Sequence, residues 1–381
     1  MKSVHVYPST FEFESRILRI TKALIERTRV SDIVIVAQAA PHLPSREALD
    51  ARREVRRIAA KLRGDRFWSR VARFGEWSLR VSASLRGDKI DLVNCHSLSV
   101  LPLCVVLAIR HRAMLIYEPH ELETETATFH GGRKRLAKLV ERTLIRRARR
   151  VITVSDSIAR HYRDEYRLEV LPDVVLNVPE RPVRRPARSR VFHKQYGIPE
   201  DHLVFMYQGI LDAMRGCRDL LDAFQGAAAD KHIVFLGFGP MEAEIAEAAA
   251  RHANIHYHPA VPPEEVMGLT AGADVGFALL DDSCLNHRYA LPNKLFHYLH
   301  ADLPVIVSDM PEMGGLVDLW HCGWRSANDA AALAARVGFV NRAARDEAAA
   351  GARECAAALN WENEADKLAG IYAELVGPQL A

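Results

Sequence analysis

Residues 290–309 read ALPNKLFHYLHADLPVIVSD and join two elements of different periodicity. Leu295, Phe296 and Leu299 recur at helical spacing, and Pro292 stands just ahead of them, as proline often does at a helix start. The run VIV that follows is short and continuously apolar, which is typical of a strand in a buried parallel sheet. This stretch therefore predicts one helix-and-strand unit of an α/β fold.

The start of this helix raises a question about function. We predict Asn293 as the N-cap, because an Asn side chain can accept bonds from the free N–H groups there. Lys294 then falls in the first turn, where the helix dipole disfavours a cation. In one interpretation the lysine stem covers apolar surface and its head reaches water. In the other, an anion binds to the helix N-terminus and to the lysine.

The same alternation of strand and helix extends on both sides of a segment rich in proline and arginine, at about residues 178–190. The strands predicted before it are SVHVYP, DIVIVAQ, DLVNCH, MLIYEPH and RVITVS, and those after it are LVFMYQG, HIVFLGFG, IHYH, DVGFALL and LPVIVSD. Ser45 to about Gly87 is predicted as one long helical region. This order predicts two doubly wound parallel sheets joined by a linker.

A chain of 381 residues is long for a single core, so two domains are the natural expectation. We expect residues 1–180 to form the first Rossmann-like domain and residues 191–358 the second. Residues 359–381 are predicted as a C-terminal helix that packs back on the first domain. Two such domains facing each other would leave a cleft at the carboxyl ends of their strands, where ligands of these sheets bind.

Composition narrows the class of protein. The chain is 49% hydrophobic and 26% charged, as in ordinary globular proteins. It shows no run long enough for a transmembrane helix and no apolar signal-peptide core at its start. Six cysteines lack any Cys-x-x-Cys pair, and 17 histidines lack metal-ligand spacing. We therefore expect reduced thiols, a cytoplasmic location and no bound metal or other cofactor.

Positive charge is concentrated in the first half of the chain. Residues 51–90 hold twelve Lys/Arg against four Asp/Glu, and residues 131–150 hold nine against one, although the net charge is only +3. The first of these segments also carries Phe67, Trp68, Phe74 and Trp77 at helical spacing. Either these aromatic residues belong to the core, or the helix lies on an anionic membrane surface. No nucleic-acid-binding motif accompanies the charge, so nucleic acid is not expected as a partner.

Several segments in this order resemble one known family. They are DLVNCHSLSVLP, LIYEPHELE and RRVITVSDSIARHY in the first half, and GILDAMRGCRDLLDAF, FLGFGP and LPNKLFHYLHADLPVIVSD in the second. The chain resembles a GT-B fold glycosyltransferase of family 4, the retaining class that uses nucleotide-sugar donors. The resemblance runs from ESRILR near the N-terminus to the segment at Trp361.

The resemblance implies roles for residues of both halves. Arg215 and Lys294 match the cations that grip the donor diphosphate, and His120 matches the histidine beside the transferred sugar. These three are the predicted catalytic residues. The predicted donor-binding residues are Gly209, Arg215, Gly237, Gly239, His258, Val261, Tyr289, Asn293, Lys294 and His297. The predicted acceptor-side residues are Arg16, His96 and Glu121, although Arg16 fits a helix-surface arginine equally well.

The chain also departs from the family pattern. Tyr289 and His297 stand where the family has two glutamates, the second of which accepts bonds from the ribose hydroxyls. Ser97 and Asp302 replace a common aspartate and a common glycine. A neutral histidine accepts only one hydrogen bond, so these changes bear on the identity of the donor and on activity.

The resemblance implies a hexosyltransferase that moves a sugar from a UDP- or GDP-linked donor to a glycan or lipid-linked acceptor. Cell-surface polysaccharide or glycolipid synthesis is the expected context, at the inner face of the membrane. Two alternatives stay open: a nucleotide-sugar 2-epimerase of the same architecture, and a partner subunit that has lost turnover.

Overall fold

A computed structural model of the chain describes residues 1–12, 14–182, 184 and 187–376. The chain divides into two units. The first comprises Met1–Leu176 together with the segment from Glu364 onward, and the second comprises Asn177–Asn363.

The first unit is built on an eight-stranded sheet. Its strands are β1 (Lys2–Val6), β2 (Asp32–Gln38), β3 (Arg46–Ala48), β4 (Arg53–Ile58), β5 (Leu92–Cys95), β6 (Met114–Tyr117), β7 (Arg150–Thr153) and β8 (Asp173–Val174). Its helices are α1 (Ser15–Arg27), α2 (Phe67–Ser84), α3 (Leu101–His111), α4 (Gly131–Leu144) and α5 (Asp156–Tyr166). The strand order is β3-β4-β2-β1-β5-β6-β7-β8, parallel except for the antiparallel β3–β4 pair.

The long helix predicted from Ser45 is wrong over its first part. Residues 46–58 form β3 and β4, and β4 pairs in parallel with β2 from Ile33↔Arg53 to Gln38↔Ile58. The Arg57 guanidinium in β4 is buried and donates to backbone carbonyls of three neighbouring loop residues. Helix-forming residues are therefore held in a strand, because pairing and burial outweigh their local propensity. Only α2 keeps the predicted helical state.

The second unit is built on a six-stranded sheet. Its strands are β9 (Leu203–Ile210), β10 (Lys231–Phe238), β11 (Ile255–Pro259), β12 (Val275–Ala278), β13 (Val305–Ser308) and β14 (Gly323–Ser326). Its helices are α6 (Val191–Tyr196), α7 (Cys217–Gln225), α8 (Glu242–Arg251), α9 (Pro263–Thr270), α10 (Leu285–Arg288), α11 (Asn293–His300), α12 (Pro311–Trp320), α13 (Ala330–Phe339) and α14 (Arg342–Ala358). The strand order is β11-β10-β9-β12-β13-β14, parallel throughout.

The last helix, α15 (Trp361–Val376), spans the boundary between the two units. Within the first unit its Glu364 carboxylate accepts from the N–H of Leu176 at 2.8 Å, and its Tyr372 hydroxyl donates to Asn94 in β5. No helix in the described part of the chain is long and apolar enough to cross a membrane. The predicted parallel α/β sheets are confirmed in both units.

Parallel strands bring their carboxyl ends to one edge of each sheet, and this places the predicted site residues. In the first unit β1, β5 and β6 are neighbours, so the residues that follow them meet. In the second unit the register pairs Gly209 of β9 with Gly237 of β10. Each unit therefore carries one candidate cluster at the carboxyl edge of its sheet.

Candidate functional site

The prediction that Asn293 caps helix α11 is wrong. Pro292 is the N-cap, with extended φ and ψ of −70° and 142°, and Asn293 is the first helical residue. The Asn293 side-chain oxygen instead accepts from the amide of Asn177 at 2.9 Å. Proline already has the φ that precedes a helix and leaves no N–H of its own to satisfy. Lys294 still falls in the first turn, as the sequence predicts.

Lys294 is buried rather than directed into water. It is only 9% exposed, and its Nζ lies 3.7 Å from the centre of the Tyr207 ring. This Nζ has no hydrogen-bond partner among the described residues. Burial, opposed by Cys217 and assisted by the charge of Arg215, lowers the pKa of Lys294 to about 7. The first interpretation of this lysine, a stem on the surface with its head in solvent, is therefore wrong.

Arg215 lies close enough to Lys294 for its charge to disfavour the ammonium. It ends a short 3₁₀ turn, Ala213–Arg215, that follows β9, and the Asp212 carboxylate caps this turn by accepting from the N–H of Met214 at 2.8 Å. Gly216 comes next at a φ of +77°, where a β-carbon would lie 2.8 Å from the Leu279 side chain. Two cations thus share the carboxyl edge of this sheet, and neither forms an ion pair with another described residue.

The glycines of the second unit serve close backbone packing. A β-carbon at Gly237 would lie 1.9 Å from the carbonyl oxygen of Gly209, and one at Gly239 would lie 2.5 Å from that of Leu211. Gly209 itself has a φ of +116°, and a β-carbon there would stand 3.9 Å from Lys294 Nζ. Gly209 therefore borders the lysine directly, whereas Gly237 and Gly239 bring the loop after β10 against β9.

His297 lies on α11 one turn beyond Lys294. Its Nδ1 is 3.4 Å from the amide nitrogen of Gln208, whose side-chain oxygen accepts from Thr270 at 2.8 Å. The spacing of four residues from Asn293 predicts that His297 lies near the positive end of the helix, and this prediction is wrong because α11 has only eight residues and His297 belongs to its last turn. Tyr289 is the residue that ends the short helix α10.

The remaining donor-site predictions fall at the sheet's edge strand. His258 is in β11, and its Nδ1 donates to the Pro259 carbonyl at 2.8 Å. Val261 follows in the loop, and both side chains are partly exposed. Phe238, at the end of neighbouring β10, was not selected from the sequence although it lies between Gly237 and Gly239. Its ring is 62% exposed at the same edge and offers a flat apolar face.

In the first unit, three histidine rings are joined in a row. His96 follows β5 and His120 follows β6, and their Nδ1 and Nε2 atoms are 3.1 Å apart. His5 in β1, which the sequence did not single out, brings its Nδ1 to 2.8 Å from His96 Nε2. Burial lowers the pKa of His5 and of His120 to about 3. Burial also holds the pKa of His96 well below its ordinary value, so all three rings are neutral near pH 7. Tyr7 stacks on the ring of His120.

Arg16 is not a helix-surface arginine. It is buried and donates through Nε and Nη2 to Glu118 Oε1 at 3.1 and 2.9 Å, and also to the carbonyl of Val175. Burial raises the pKa of Glu118, and the guanidinium opposes that effect. Glu121 is exposed. Glu123, which the sequence analysis passed over, accepts from Ser97 and from the N–H of Leu98, and burial raises its pKa to about 7.

One group of side chains in the described structure could offer ligands to a metal. His96, Glu118 and His120 have ligand atoms within 4.8 Å of one another. The facing nitrogens of His96 and His120 are already hydrogen-bonded to each other, and Glu118 is paired with the positively charged Arg16. A divalent cation here would have to displace the His96–His120 bond and face the guanidinium.

Two family models match the chain in succession. Glycosyltransferase Family 4 matches residues 14–176, and Glycosyl transferases group 1 matches residues 202–340. The matches fall on one structural unit each and together include every site residue predicted from the sequence. No curated protein matches the chain in sequence.

Solved structures of low sequence identity share the whole fold. Sucrose-phosphate synthase from Thermosynechococcus elongatus is 15% identical over 99% of both chains, with a TM-score of 0.77. HepE from Anabaena, solved with UDP-glucose, is 14% identical over 98% of this chain and 99% of its own, with a TM-score of 0.73. WaaG, a glycosyltransferase involved in lipopolysaccharide biosynthesis, is 15% identical over 97% and 99%, with a TM-score of 0.68. The predicted GT-B fold class is confirmed.

Proposed function

This chain belongs to the family 4 glycosyltransferases of the GT-B fold, and from that premise we propose that it moves a hexose with retention of configuration. The proposed donor is a UDP- or GDP-linked sugar, and the proposed acceptor is a hydroxyl of a glycan or a lipid-linked saccharide. Binding of UDP-glucose by HepE and the role of WaaG in lipopolysaccharide synthesis support this choice of substrates.

The burial of Lys294 is the observation that carries the proposal. An ammonium that is removed from water and has no acceptor costs free energy, which a bound anion would recover. Arg215 adds a second cation beside it, and Gly209 keeps the adjacent backbone clear of side chains. A nucleotide sugar carries two phosphate charges and therefore matches both cations.

The two cations also suit the chemistry of the departing diphosphate. Negative charge grows on the leaving oxygen as the glycosidic bond to the nucleotide breaks, and fixed cations stabilise that charge in the transition state. We propose that the acceptor hydroxyl attacks from the same face and passes its proton to the leaving diphosphate. Because Arg215 and Lys294 supply the positive charge, this mechanism needs no metal ion.

We assign the sugar and the acceptor to the histidine cluster of the first unit. His120 is partly exposed whereas His5 and His96 are buried, and we propose that its ring contacts the sugar. His96 and the Arg16–Glu118 ion pair hold its loop, and the exposed Glu121 remains a proposed acceptor-side residue. His258, Val261, Tyr289 and His297 remain proposed contacts of the nucleoside.

An anionic membrane is the proposed docking surface for the acceptor side. Trp77 of α2 is buried in the core, whereas Trp68 on the same helix is 76% exposed, with Phe67 and Val71 exposed beside it. Exposed Arg70 lies on this helix as well. The core interpretation of the aromatic residues holds for Trp77, and we propose the interfacial interpretation for the exposed part of the helix.

Nucleotide-sugar binding and turnover test the proposal. Wild-type protein is titrated with UDP-glucose and GDP-mannose, and release of the nucleotide diphosphate is then followed without acceptor. Arg215→Ala should slow release by about 100-fold, the size of losing one transition-state charge stabiliser, while Arg218→Ala serves as the control. Arg218 is exposed and pairs with Glu244.

The outcomes separate this function from the non-catalytic partner subunit that the Tyr289 and His297 replacements favour. Binding without any release of nucleotide diphosphate would support the partner subunit. Absence of binding to every UDP- and GDP-linked sugar would contradict the proposal.

A further inference from the structure

His5, His96 and His120 form a row of hydrogen-bonded rings, so the nitrogen that carries the proton on one ring depends on the other two rings. A neutral imidazole has one N–H and one acceptor nitrogen. His5 Nδ1 faces His96 Nε2, and His96 Nδ1 faces His120 Nε2. Each contact needs one donor and one acceptor, so only two arrangements satisfy both contacts.

In the first arrangement every ring carries its proton on Nδ1, and the bonds run from His5 to His96 to His120. In the second arrangement every ring carries its proton on Nε2, and the bonds run the opposite way. The first leaves His120 with a free Nδ1–H donor, whereas the second leaves it with a free Nδ1 acceptor. The tautomer of His5 therefore decides whether Nδ1 of His120 is a hydrogen-bond donor or an acceptor.

Two observations favour the first arrangement. His5 Nε2 is buried without a partner among the described residues, and an unpaired buried N–H is rarer in proteins than an unpaired acceptor. The first arrangement leaves a lone pair at this atom, whereas the second leaves an N–H there. Glu118 Oε2 lies 3.8 Å from His96 Nδ1, so its negative charge attracts a proton on that nitrogen and repels a lone pair.

We propose that His5 is a positioning residue which, through His96, holds His120 as the Nδ1–H tautomer and so makes His120 a neutral hydrogen-bond donor. The consequence for sugar transfer rests on the proposed function, whereas the tautomer itself does not. A ring fixed in this way donates to a substrate oxygen and offers no lone pair at Nδ1 to act as a base. This agrees with a mechanism in which the leaving diphosphate takes the acceptor proton.

Nitrogen NMR of the ligand-free protein of residues 1–381, labelled with ¹⁵N-histidine, tests the tautomer directly. A protonated ring nitrogen and an acceptor ring nitrogen have widely separated shifts, and His120→Gln identifies the signals of His120 among those of the other histidines. We expect a protonated Nδ1 and an unprotonated Nε2 in the neutral His120 ring. Protonation at Nε2 would overturn the proposal.

Substitution of His5 tests its role. His5→Phe keeps a ring in β1 but removes the donor to His96, so the ratio of the two His120 tautomers should fall by about fivefold to tenfold, the worth of one ordinary hydrogen bond. The kcat for sugar release should fall in proportion to the remaining fraction of the Nδ1–H tautomer, with little change in KM for the donor. His5→Asn can place an amide N–H near the original Nδ1 and should restore most of both quantities.

A second row of three histidine rings, in the second unit, supplies a matched control for the substitution of His5. His202 Nδ1 lies 2.9 Å from His232 Nε2, and His232 Nδ1 lies 3.1 Å from His256 Nε2. His202→Phe removes the equivalent ring nitrogen there and should leave the His120 signals unchanged. If His5→Phe lowers kcat but leaves the His120 tautomer unchanged, His5 is only structural and the proposal fails. If His5→Phe does not fold, His5→Asn and the wild-type tautomer decide the question. Failure of sugar transfer in a wild-type protein with the expected tautomer would reject the proposed function alone.

Discussion

Binding of a nucleotide sugar should draw a proton from solvent onto Lys294. Burial lowers the pKa of this lysine to about 7, so near neutral pH about half of the molecules carry an uncharged amine. A diphosphate beside the nitrogen favours the ammonium. The diphosphate of a nucleotide sugar does not titrate in this range, so the ligand does not mask proton uptake by the protein.

The size of the uptake follows from this pKa. A single phosphate charge about 4 Å from Nζ contributes about 4 kcal/mol at the effective dielectric of a protein surface, or about three pKa units. The lysine in the complex is then fully protonated up to about pH 9. The expected uptake is about 0.1 proton per donor at pH 6, about 0.5 at pH 7 and about 0.9 at pH 8.

Calorimetric titration in two buffers of different ionisation enthalpy measures this uptake, because the difference in heat is proportional to the protons taken from buffer. HEPES and Tris serve for the upper part of the range. Lys294→Arg keeps a cation that does not titrate, so it should bind donor with an uptake close to zero. Lys231→Met removes another buried lysine, one whose Nζ donates to the Val340 carbonyl, and should leave the uptake unchanged.

Two results would refute this reasoning. One is donor binding by wild-type protein at pH 7.5 with identical heats in both buffers. The other is the same uptake in wild type and Lys294→Arg, which would place the proton on another group.

Three further predictions concern stability, membrane binding and the nucleoside contact. Lys294→Met should abolish donor binding yet raise the free energy of unfolding of ligand-free protein by up to about 4 kcal/mol near pH 7. That margin should shrink as the pH rises toward the ordinary lysine pKa of 10.5, and chemical denaturation at pH 7 and 10 measures it. Trp68→Ser combined with Arg70→Glu should weaken salt-sensitive binding to anionic vesicles in sedimentation, whereas Leu319→Ser, at an exposed apolar residue of the other unit, should not. Sedimentation of the wild-type protein with neutral vesicles to the same extent as with anionic vesicles would contradict this. His297→Ala should weaken nucleotide diphosphate binding by about 1 kcal/mol, one hydrogen bond, and His297→Glu should retain or tighten it. Loss of binding in His297→Glu alone would show that the ring does not stand in for the family's glutamate.

The sheets and the helices around them could be predicted from the sequence because the patterns that indicate strands and helices are local. Short apolar strands such as VIVS at Val305–Ser308 and amphipathic helices such as α11 are visible in windows of a few residues. The error at residues 46–58 arose where the decisive contacts are distant. The strand β4 is fixed by pairing with β2 and by the burial of Arg57 against three loop carbonyls. Neither contact can be recognised in the sequence of the segment itself, whose residues favour a helix.

The candidate site was predictable where a residue type conflicts with its position. Lys294 in a first helical turn is such a conflict, and the structure places its ammonium out of water. His5 offered no signal, because a histidine in a strand is ordinary and its partner His96 is 91 residues away. Phe238 had a weak signal, an aromatic residue between two glycines, that only its exposure makes informative.

Proton NMR of donor turnover tests the central claim, that a diphosphate clamp at Lys294 and Arg215 drives sugar transfer with retention. The protein is incubated with the UDP- or GDP-linked sugar that it binds, and the anomeric signal of the first sugar released to water is recorded. We predict release of the nucleotide diphosphate together with the sugar in the donor's own anomeric configuration. Lys294→Met should abolish this release, and Lys231→Met should leave it intact. Release of the inverted anomer, or unchanged release by Lys294→Met, would contradict the account.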